Sequence, residues 1–293
     1  ERGVMEVETP ALSHAGTTDP QLDAITARVQ SLGADPLYLS TSPEFPMKRL
    51  LAAGSGDIYQ ISRVFRDGEL GRWHQPEFTL LEWYRVGWNE EELMHEVETL
   101  LRSIVEPHRP LGPTIRMSYR EAFQKFLGID VFAKPHQVRE RLRAATVDVP
   151  AALDESNVID LAFGLAITPR LPPDAISFVY DFPEHQAALA RLKSTKPPVA
   201  ARFEAFLGGL ELANGFDELT DEAEQRGRFE ADRKRRRDEE RHTPPIDEPF
   251  LAALAHGLPG CAGVAIGIDR LVAVAKGLQS LYDTTSFAHT GEE

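Results

Sequence analysis

Two adjacent glycines between two strand-like runs constrain the fold of this chain more than any other feature. Gly208 and Gly209 stand between Leu207 and Leu210. A two-residue glycine loop suits a tight turn between antiparallel strands, because both of its positions tolerate a positive φ. The sequence therefore predicts a β-hairpin here.

The register of this hairpin brings two carboxylates toward each other. With the turn at the two glycines, Phe206 pairs with Glu211 and Ala205 with Leu212. Glu204 then shares a face with Phe206 and lies diagonally from Glu211, at roughly 7 to 8 Å between backbone positions. Two such carboxylates could hold Mg²⁺ jointly with the phosphates of a nucleotide. The pattern is equally typical of two glutamates on a solvent-exposed face.

A second antiparallel unit is predicted nearer the amino terminus. Strand-like runs cover 57–66 and 77–86, and the segment 67–71 between them has turn composition. Alternation in the second run places Glu82 on one face with Phe78, Leu80 and Tyr84. A glutamate buried among such side chains needs a partner, which an amine substrate or a protein arginine or lysine would supply.

The segment 263–271 predicts a strand of small residues that runs into an apolar helix. Its glycines would let a ligand approach closely, and Arg270 would present a planar cation to phosphate. This glycine pattern also resembles many ordinary strand-to-helix joins.

Several further elements, most of them helices, are predicted elsewhere in the chain. Apolar spacing indicates a helix from after Asn89 to near Pro107. The other predicted elements are a strand at 4–10, a loop and a short helix within 11–36, and helices at 119–126, 137–145 and 222–241. The basic run 233–237 in the last helix is more typical of a solvated helix face than of a nucleic-acid patch.

Composition favours a soluble protein with one large core. The chain has 293 residues, 42% of them hydrophobic, which is enough for one large core. Its formal net charge of −14 weighs against a large RNA-binding surface.

The single cysteine, Cys261, cannot form an internal disulfide. No apolar run approaches the roughly 18 residues that a membrane span needs. We therefore expect a reducing, cytoplasmic setting without membrane contact.

Three segments resemble, in order, the signature motifs of class II aminoacyl-tRNA synthetases. They are 4–10, 65–84 and 263–271, and the resemblance extends over nearly the whole chain. Segments more specific to the lysyl branch are 41–44, 47–50 and 211–219. Within that branch the chain is similar to the EpmA (PoxA/GenX) family, short paralogues of lysyl-tRNA synthetase that ligate β-lysine to elongation factor P.

The resemblance implies an α+β fold, the class II catalytic domain, with a mainly antiparallel sheet flanked by helices. We expect one such domain over 1–293, with the first-motif segment at 1–12, the second motif at 58–86 and the third at 263–277. We expect no anticodon-binding OB domain ahead of it in this chain. The family also implies a homodimer formed through the first-motif strand.

Carried over position by position, the resemblance implies an ATP site. Its residues are Arg66, Asp67, Gly68, Gln75, Phe78, Glu211, Leu212, Gly267 and Arg270. Arg66 and Arg270 would be the catalytic cations, and Glu204 and Glu211 would hold Mg²⁺. The substrate carboxylate attacks the α-phosphorus of ATP in line, so catalysis needs positioned cations and no protein nucleophile.

The resemblance also implies an amino-acid pocket. Its residues are Ser42, Pro43, Glu44, Glu82, Tyr84, Asn214, Phe216, Glu218 and Ala265. Acidic side chains suit a lysine-type substrate, whose two ammonium groups must be paired once they are desolvated. The synthetases typically have glycine where this chain and the EpmA-like proteins have Ala265. The added methyl group would favour a β-amino acid, whose amine lies one carbon further along; neutral drift from glycine to alanine is the alternative.

One position departs from the family pattern. The second motif usually reads Arg-x-Glu, whereas this chain has Arg66, Asp67 and Gly68, with the acid displaced to Glu69. We expect Glu69 to take over the contact to ATP or to the acceptor end.

Three functions fit the sequence. The first is ATP- and Mg²⁺-dependent activation of lysine or (R)-β-lysine and its transfer to a lysine of elongation factor P. The second is lysylation of tRNA, which the acidic composition disfavours. The third is a catalytically silent synthetase-like binding protein. Its only support is Gly68, because Arg66, Arg270 and both hairpin glutamates are retained.

Overall fold

The computed structural model describes residues 3–33, 35–145, 147–151 and 153–290. Its strands are β1 (Met5–Glu6), β2 (Leu12–Ser13), β3 (Thr26–Ala27), β4 (Leu37–Leu39), β5 (Ile58–Phe65), β6 (Glu77–Val86), β7 (Ile115–Ser118), β8 (Ile176–Pro183), β9 (Leu192–Lys193), β10 (Val199–Leu207), β11 (Leu210–Asp217) and β12 (Cys261–Gly267). Its helices are α1 (Glu44–Ala52), α2 (Glu90–Val105), α3 (Tyr119–Leu127), α4 (Gln137–Ala144), α5 (Glu155–Ala162), α6 (Glu222–Asp238), α7 (Glu248–Gly257) and α8 (Ile268–Lys276). The elements fall into two compact units, Glu1–Asn89 with Glu218–Glu293, and Glu90–Asp217.

The first unit is built on strands in the order β1-β5-β6-β12. β1 is parallel to β5, and the other pairs are antiparallel. Ile58 pairs with Tyr84 and Phe65 with Glu77, which confirms the predicted antiparallel unit. A small antiparallel sheet, β2-β4-β3, belongs to the same unit.

Aromatic packing joins the helices of the first unit. Phe45 of α1 stacks on Phe250 of α7 at 4.6 Å between ring centroids, and Phe229 of α6 lies 5.6 Å from Phe45. Asp247 caps α7 by accepting a hydrogen bond from the Phe250 amide at 2.9 Å. These contacts fix α1, which carries part of the site described below.

The second unit has strands in the order β11-β10-β8-β7, with β9 beside β10. β7 and β8 are parallel, and the other pairs are antiparallel. Its core contains a cluster of rings in which Tyr119 lies 4.8 Å from Phe163 and 5.0 Å from Phe182. A capping box formed by Ser118 and Glu121 begins α3.

The β10–β11 hairpin confirms the turn and corrects the register beyond it. Gly208 and Gly209 adopt φ values of 64° and 76°. Leu207 pairs with Leu210 and Phe206 with Glu211, as predicted. A bulge between Ala205 and Phe206 then shifts the strand, so that Ala205 faces Ala213 instead of Leu212 and Glu204 faces Asn214. The predicted pairing of Ala205 with Leu212 is therefore wrong.

Most of the other predicted elements are confirmed. The helices α2, α3, α4 and α6 lie in the segments predicted to be helical, and α6 ends at Asp238 instead of Arg241. The strand predicted at 4–10 is shorter, since β1 comprises only Met5–Glu6. The segment 11–36 was expected to be a loop and a short helix, but its described residues form β2, β3 and a 3-10 turn at Gln30–Leu32. The α+β class with mainly antiparallel strands is confirmed. The single domain over 1–293 stays a prediction. No helix of the described residues is long and apolar enough to span a membrane.

Candidate active site

Three carboxylates of the first unit form an acidic cluster, which we define as Glu44, Glu82 and Glu218. Glu44 opens α1, Glu82 lies in the middle of β6, and Glu218 is tied to β12 because its amide donates to the Cys261 carbonyl at 3.0 Å. Glu82 and Glu218 are each 2% exposed. Buried carboxylates at this density need compensating partners.

Glu82 finds its partners in two hydroxyl groups. Ser42 donates to one of its carboxylate oxygens at 2.8 Å, and Tyr84 donates to the other at 2.7 Å. Ser42 also accepts from the Glu44 amide at 3.1 Å, which holds the start of α1 against the cluster. The partners expected from the sequence, a substrate amine or a protein cation, are thus replaced here by neutral donors.

Lys48 supplies the positive charge inside the acidic cluster. Its Nζ lies 2.6 Å from Glu44 Oε1 and 2.6 Å from Glu218 Oε2, and its side chain is fully buried. Burial by itself would lower the pKa of Lys48, but the charges of Glu218 and Glu44 outweigh it and raise that pKa. Lys48 therefore stays charged at neutral pH.

The acidic cluster holds protons at neutral pH. Burial, reinforced by the charge of Glu44, raises the pKa of Glu82 to about 7. Burial, only partly offset by Lys48, raises the pKa of Glu218 to about 8. A ligand with positive charges would favour the ionised form of both groups.

β12 forms a wall beside the acidic cluster. Gly263 pairs with Tyr84 and Ala265 with Glu82 across β12 and β6. A Cβ atom at Gly263 would lie 2.3 Å from Tyr84 Cε1 and 2.5 Å from Glu218 Oε1. The bare backbone of Gly263 is therefore required where these two side chains meet, and Ala265 lies directly across from Glu82.

Arg66 and its surroundings occupy another part of the first unit. Its guanidinium carbon lies 5.0 Å from the centroid of the Phe78 ring, and its Nε donates to the Thr41 carbonyl at 3.3 Å. Glu69 Oε1 lies 3.6 Å from Arg66 Nη1. Gly68 turns the loop between them with a φ of 75°. The displaced acid of the second motif therefore faces the arginine of that motif.

Gln75 and Arg270 are both anchored to backbone. The side-chain amide of Gln75 donates to the His289 carbonyl at 3.2 Å and accepts from the His289 amide at 3.0 Å. Arg270 donates from Nε to the Trp73 carbonyl at 3.2 Å. A segment near the carboxyl end thus engages the side chain of Gln75, and no pattern in the sequence predicts this contact.

In the second unit, Arg202 gathers several of the predicted site residues. It contacts Glu204 Oε1 at 2.5 Å and Asn214 Oδ1 at 3.2 Å, and its guanidinium carbon lies 5.8 Å from the centroid of the Phe216 ring. Burial and the charge of Glu211 raise the pKa of Glu204 to about 8, although Arg202 opposes the shift. Among the described residues, no group of three or more His, Cys, Asp or Glu side chains is arranged as a metal site.

Family comparison fixes the class to which this geometry belongs. The family model for class II tRNA synthetases (D, K and N) matches residues 1–291. The chain belongs to the class II tRNA synthetase family. The fold predicted from the three motifs is thereby confirmed.

Within the class II synthetase family, the chain is similar to several proteins named "Elongation factor P--(R)-beta-lysine ligase". The protein of this name from Vibrio cholerae is 45% identical, with 98% of this chain and 89% of its own length covered. Those from Avibacterium paragallinarum and Salmonella dublin are 44% identical, with the same shares covered.

Both units carry residues of the site predicted by resemblance to class II synthetases. The first unit contains Ser42, Pro43, Glu44, Arg66, Asp67, Gly68, Gln75, Phe78, Glu82, Tyr84, Glu218, Ala265, Gly267 and Arg270. The second contains Glu204, Glu211, Leu212, Asn214 and Phe216. Within the first unit, Ser42, Glu44, Glu82, Tyr84 and Glu218 come together in one cluster.

The sequence did not lead us to predict three residues that contact or adjoin the candidate site, Lys48, Arg202 and Gly263. Lys48 stands four residues after Glu44, a spacing that places both on one helix face, so its signal was present. Arg202 stands two residues before Glu204, on the same face of the strand. The role of Gly263 depends on the register between β6 and β12, and no local pattern announces it.

Proposed function

We propose that this chain is an ATP-dependent ligase that activates a lysine-type amino acid, (R)-β-lysine, as its adenylate and transfers it to a lysine of elongation factor P. The observation that carries this proposal is the acidic cluster. Its buried carboxylates suit a substrate with two ammonium groups, and a neutral amino acid would leave them unpaired. The shared name of the relatives supports the choice of substrates.

The first step joins the amino acid to ATP. The substrate carboxylate attacks the α-phosphorus, the bond to the β-phosphate bridging oxygen breaks, and pyrophosphate leaves. We assign the stabilisation of the developing negative charge to Arg66 and Arg270, and the binding of the adenine ring to Phe78. Gln75 and Gly267 complete the proposed nucleotide site in the first unit.

Mg²⁺ fits the two glutamates of the hairpin. Glu204 and Glu211 offer hard oxygen ligands. Burial, together with the charge of Glu211, raises the pKa of Glu204, and a divalent cation would favour its ionised form. When bound, the ion would neutralise charge on the phosphates of ATP. Arg202 holds Glu204 in place through its contact at 2.5 Å.

We also assign a role to Glu69, the displaced acid of the second motif. Glu69 lies 3.6 Å from Arg66, and we propose that it makes the contact to ATP or to the acceptor end that the glutamate of the usual Arg-x-Glu pattern makes. This supports an active ligase over a catalytically silent binding protein.

In the second step, the ε-amine of the acceptor lysine attacks the activated carbonyl and AMP leaves. The preference for the β-isomer is assigned to Ala265, because this residue lies directly opposite Glu82 on the neighbouring strand. The amine of a β-amino acid is one carbon further from the carboxyl group, so the substrate backbone would contact the Ala265 methyl group at a different point.

The proposed assembly is a homodimer that works in the cytoplasm, where ATP and the translation factor are present. Met5 of β1 and Ile61 of β5 are 50% and 56% exposed. A contact between first-motif strands would cover such apolar side chains. Sedimentation of the purified protein at micromolar concentration should give twice the mass of the chain.

The test of function is a product assay with two acceptors. The protein is incubated with Mg²⁺, ATP and either α-lysine or (R)-β-lysine, together with elongation factor P or tRNA(Lys). Intact mass spectrometry should show one lysyl unit added to the protein acceptor, more with the β-isomer, and no charging of tRNA. Charging of tRNA with an unmodified protein acceptor would identify a synthetase instead, and no product with either acceptor would favour the silent paralogue.

A further inference from the structure

Lys48 has a different environment from Arg66 and Arg270, the two cations of the first unit that are assigned to the nucleotide site. The side chain of Lys48 is fully buried between two carboxylates of the acidic cluster. Its Nζ lies 2.6 Å from Glu44 Oε1 and 2.6 Å from Glu218 Oε2. It also lies 5.9 Å from the centroid of the Phe250 ring, which closes the apolar side of its environment. Burying an ammonium group costs free energy that a salt bridge often only offsets, so Lys48 is weak evidence for stability and is better explained by a role in the site.

The charge of the pocket indicates what that role is. Three carboxylates and one ammonium leave two unbalanced negative charges when all are ionised. The adenylate of a lysine-type amino acid presents two ammonium groups, and its carboxyl group no longer carries a charge because it forms a mixed anhydride with the phosphate of AMP. Without Lys48 the pocket would carry one negative charge too many for this ligand.

The contacts of Lys48 also determine the geometry of the acidic cluster. Lys48 links Glu44 of α1 to Glu218, so one side chain sets the separation between carboxylates that come from distant parts of the chain. Glu82 is left to its two hydroxyl donors, at 2.8 and 2.7 Å. Two of the three carboxylates are thus held by Lys48 and the third is held without it.

We propose that Lys48 is a positioning residue of the amino-acid pocket, which fixes Glu44 relative to Glu218 and sets the pocket charge to match a substrate with two ammonium groups. The inference rests on the proposed function, since it takes the acidic cluster as the site of a diamino substrate. Lys48 acts through the carboxylates and does not itself touch the substrate.

The test compares Lys48→Met with a matched control, Lys193→Met. Lys193 lies in the second unit and also contacts two carboxylates, Asp181 at 2.6 Å and Glu90. Pyrophosphate exchange gives KM and kcat for (R)-β-lysine and for ATP. Lys48→Met should raise KM for the amino acid by about tenfold or more and leave KM for ATP within about twofold, whereas Lys193→Met should leave both within about twofold.

The pH profile separates positioning from mere structural support. Lys48 lowers the pKa of Glu82 and Glu218, so removing its charge raises both values. Glu44 and the Tyr84 hydroxyl are the other titratable groups of this cluster. The acid limb of kcat/KM for (R)-β-lysine should therefore move to higher pH in Lys48→Met. Lys48→Arg, which keeps the charge, should keep that limb in place.

The outcomes are distinguishable. A folded Lys48→Met with the wild-type KM and acid limb overturns the inference, as does a variant that only loses thermal stability. If Lys48→Met fails to fold, Lys48→Gln, which keeps a hydrogen-bond donor without charge, carries the same two expectations.

Failure of the wild-type protein to exchange pyrophosphate with any diamino acid would overturn the proposed function and leave a separate test of Lys48. In the ligand-free protein, the melting temperature of the Lys48→Met or Lys48→Gln variant should fall more steeply than that of the wild type between about pH 6 and 8.5. Parallel curves would overturn the role of Lys48.

Discussion

At Gly263 the acidic cluster has no room for even one methyl group. Tyr84 and Glu218 already occupy the space where a side chain would begin, at 2.3 and 2.5 Å from an added Cβ. Because Tyr84 belongs to a paired strand, relief must come from rotating the two functional side chains. This makes Gly263 as necessary to the pocket as the residues that line it.

Gly263→Ala should therefore impair amino-acid binding more than folding. We expect KM for (R)-β-lysine to rise about tenfold and the free energy of unfolding to fall by about 1 to 3 kcal/mol through overpacking. Pyrophosphate exchange and urea denaturation measure the two effects. Gly260→Ala is the control, because an added Cβ there meets nothing within 4 Å; equal effects of both variants would contradict this account.

Glu211 carries the proposed metal site together with Glu204. Glu211→Ala should reduce pyrophosphate exchange by about a hundredfold or more, since the phosphates lose the cation that neutralises them. Far-ultraviolet circular dichroism should stay unchanged, because the hairpin turn lies in the glycines. Undiminished exchange would remove Glu211 from the mechanism.

Among the elements, the β10–β11 hairpin shows how far local sequence specifies structure. The two glycines predicted the turn and the first two residue pairs correctly. The bulge between Ala205 and Phe206 could not be predicted, because no residue type near these positions indicates an extra residue in the facing strand. As a result, the two metal-binding candidates were predicted correctly as neighbours on the hairpin but in the wrong register.

The two turn glycines should differ in their tolerance of alanine. Both have positive φ, so alanine at either costs about 1 to 2 kcal/mol in backbone strain. A Cβ at Gly209 would also lie 3.0 Å from the Thr168 carbonyl oxygen, whereas one at Gly208 would lie 3.6 Å from that of Pro173. Urea unfolding should therefore show a larger loss for Gly209→Ala, and a larger loss for Gly208→Ala would mean that strain alone decides.

Helix α1 shows the complementary case, in which the sequence held a signal that was not used. Lys48 follows Glu44 by one helical turn, so their contact is a local one. The approach of Glu218, far along the chain, is fixed only when β12 takes its place beside β6. Predicting that Lys48 joins Glu44 to Glu218 therefore required the tertiary structure, although resemblance to the family named all three carboxylates of the acidic cluster.

For the molecule as a whole, the buried carboxyl groups predict how stability depends on pH. The pKa values of Glu82, Glu204 and Glu218 are raised to about 7, 8 and 8 from an ordinary value of 4.5. Between these limits the folded state binds more protons than the unfolded state, so stability is greatest at the acid end of the window and falls as pH rises through it.

The melting temperature of the ligand-free protein should accordingly drop by at least about 5 °C between about pH 5.5 and 8.5. Scanning fluorimetry across this range measures it. Mg²⁺ with ATP and (R)-β-lysine should recover most of the loss at the alkaline end. A melting temperature that stays constant or rises with pH would show that these carboxyl groups are ionised in the folded state throughout.

The protons held by Glu82 and Glu218 also have a calorimetric consequence. When a substrate brings its ammonium groups to these carboxyls, the protons leave for the buffer, and the heat of buffer protonation adds to the heat of binding. Titrations in phosphate and in Tris would then report different apparent enthalpies for one and the same affinity. The slope of apparent enthalpy against buffer ionisation enthalpy counts the protons displaced, and so gives the charge state of the empty pocket directly.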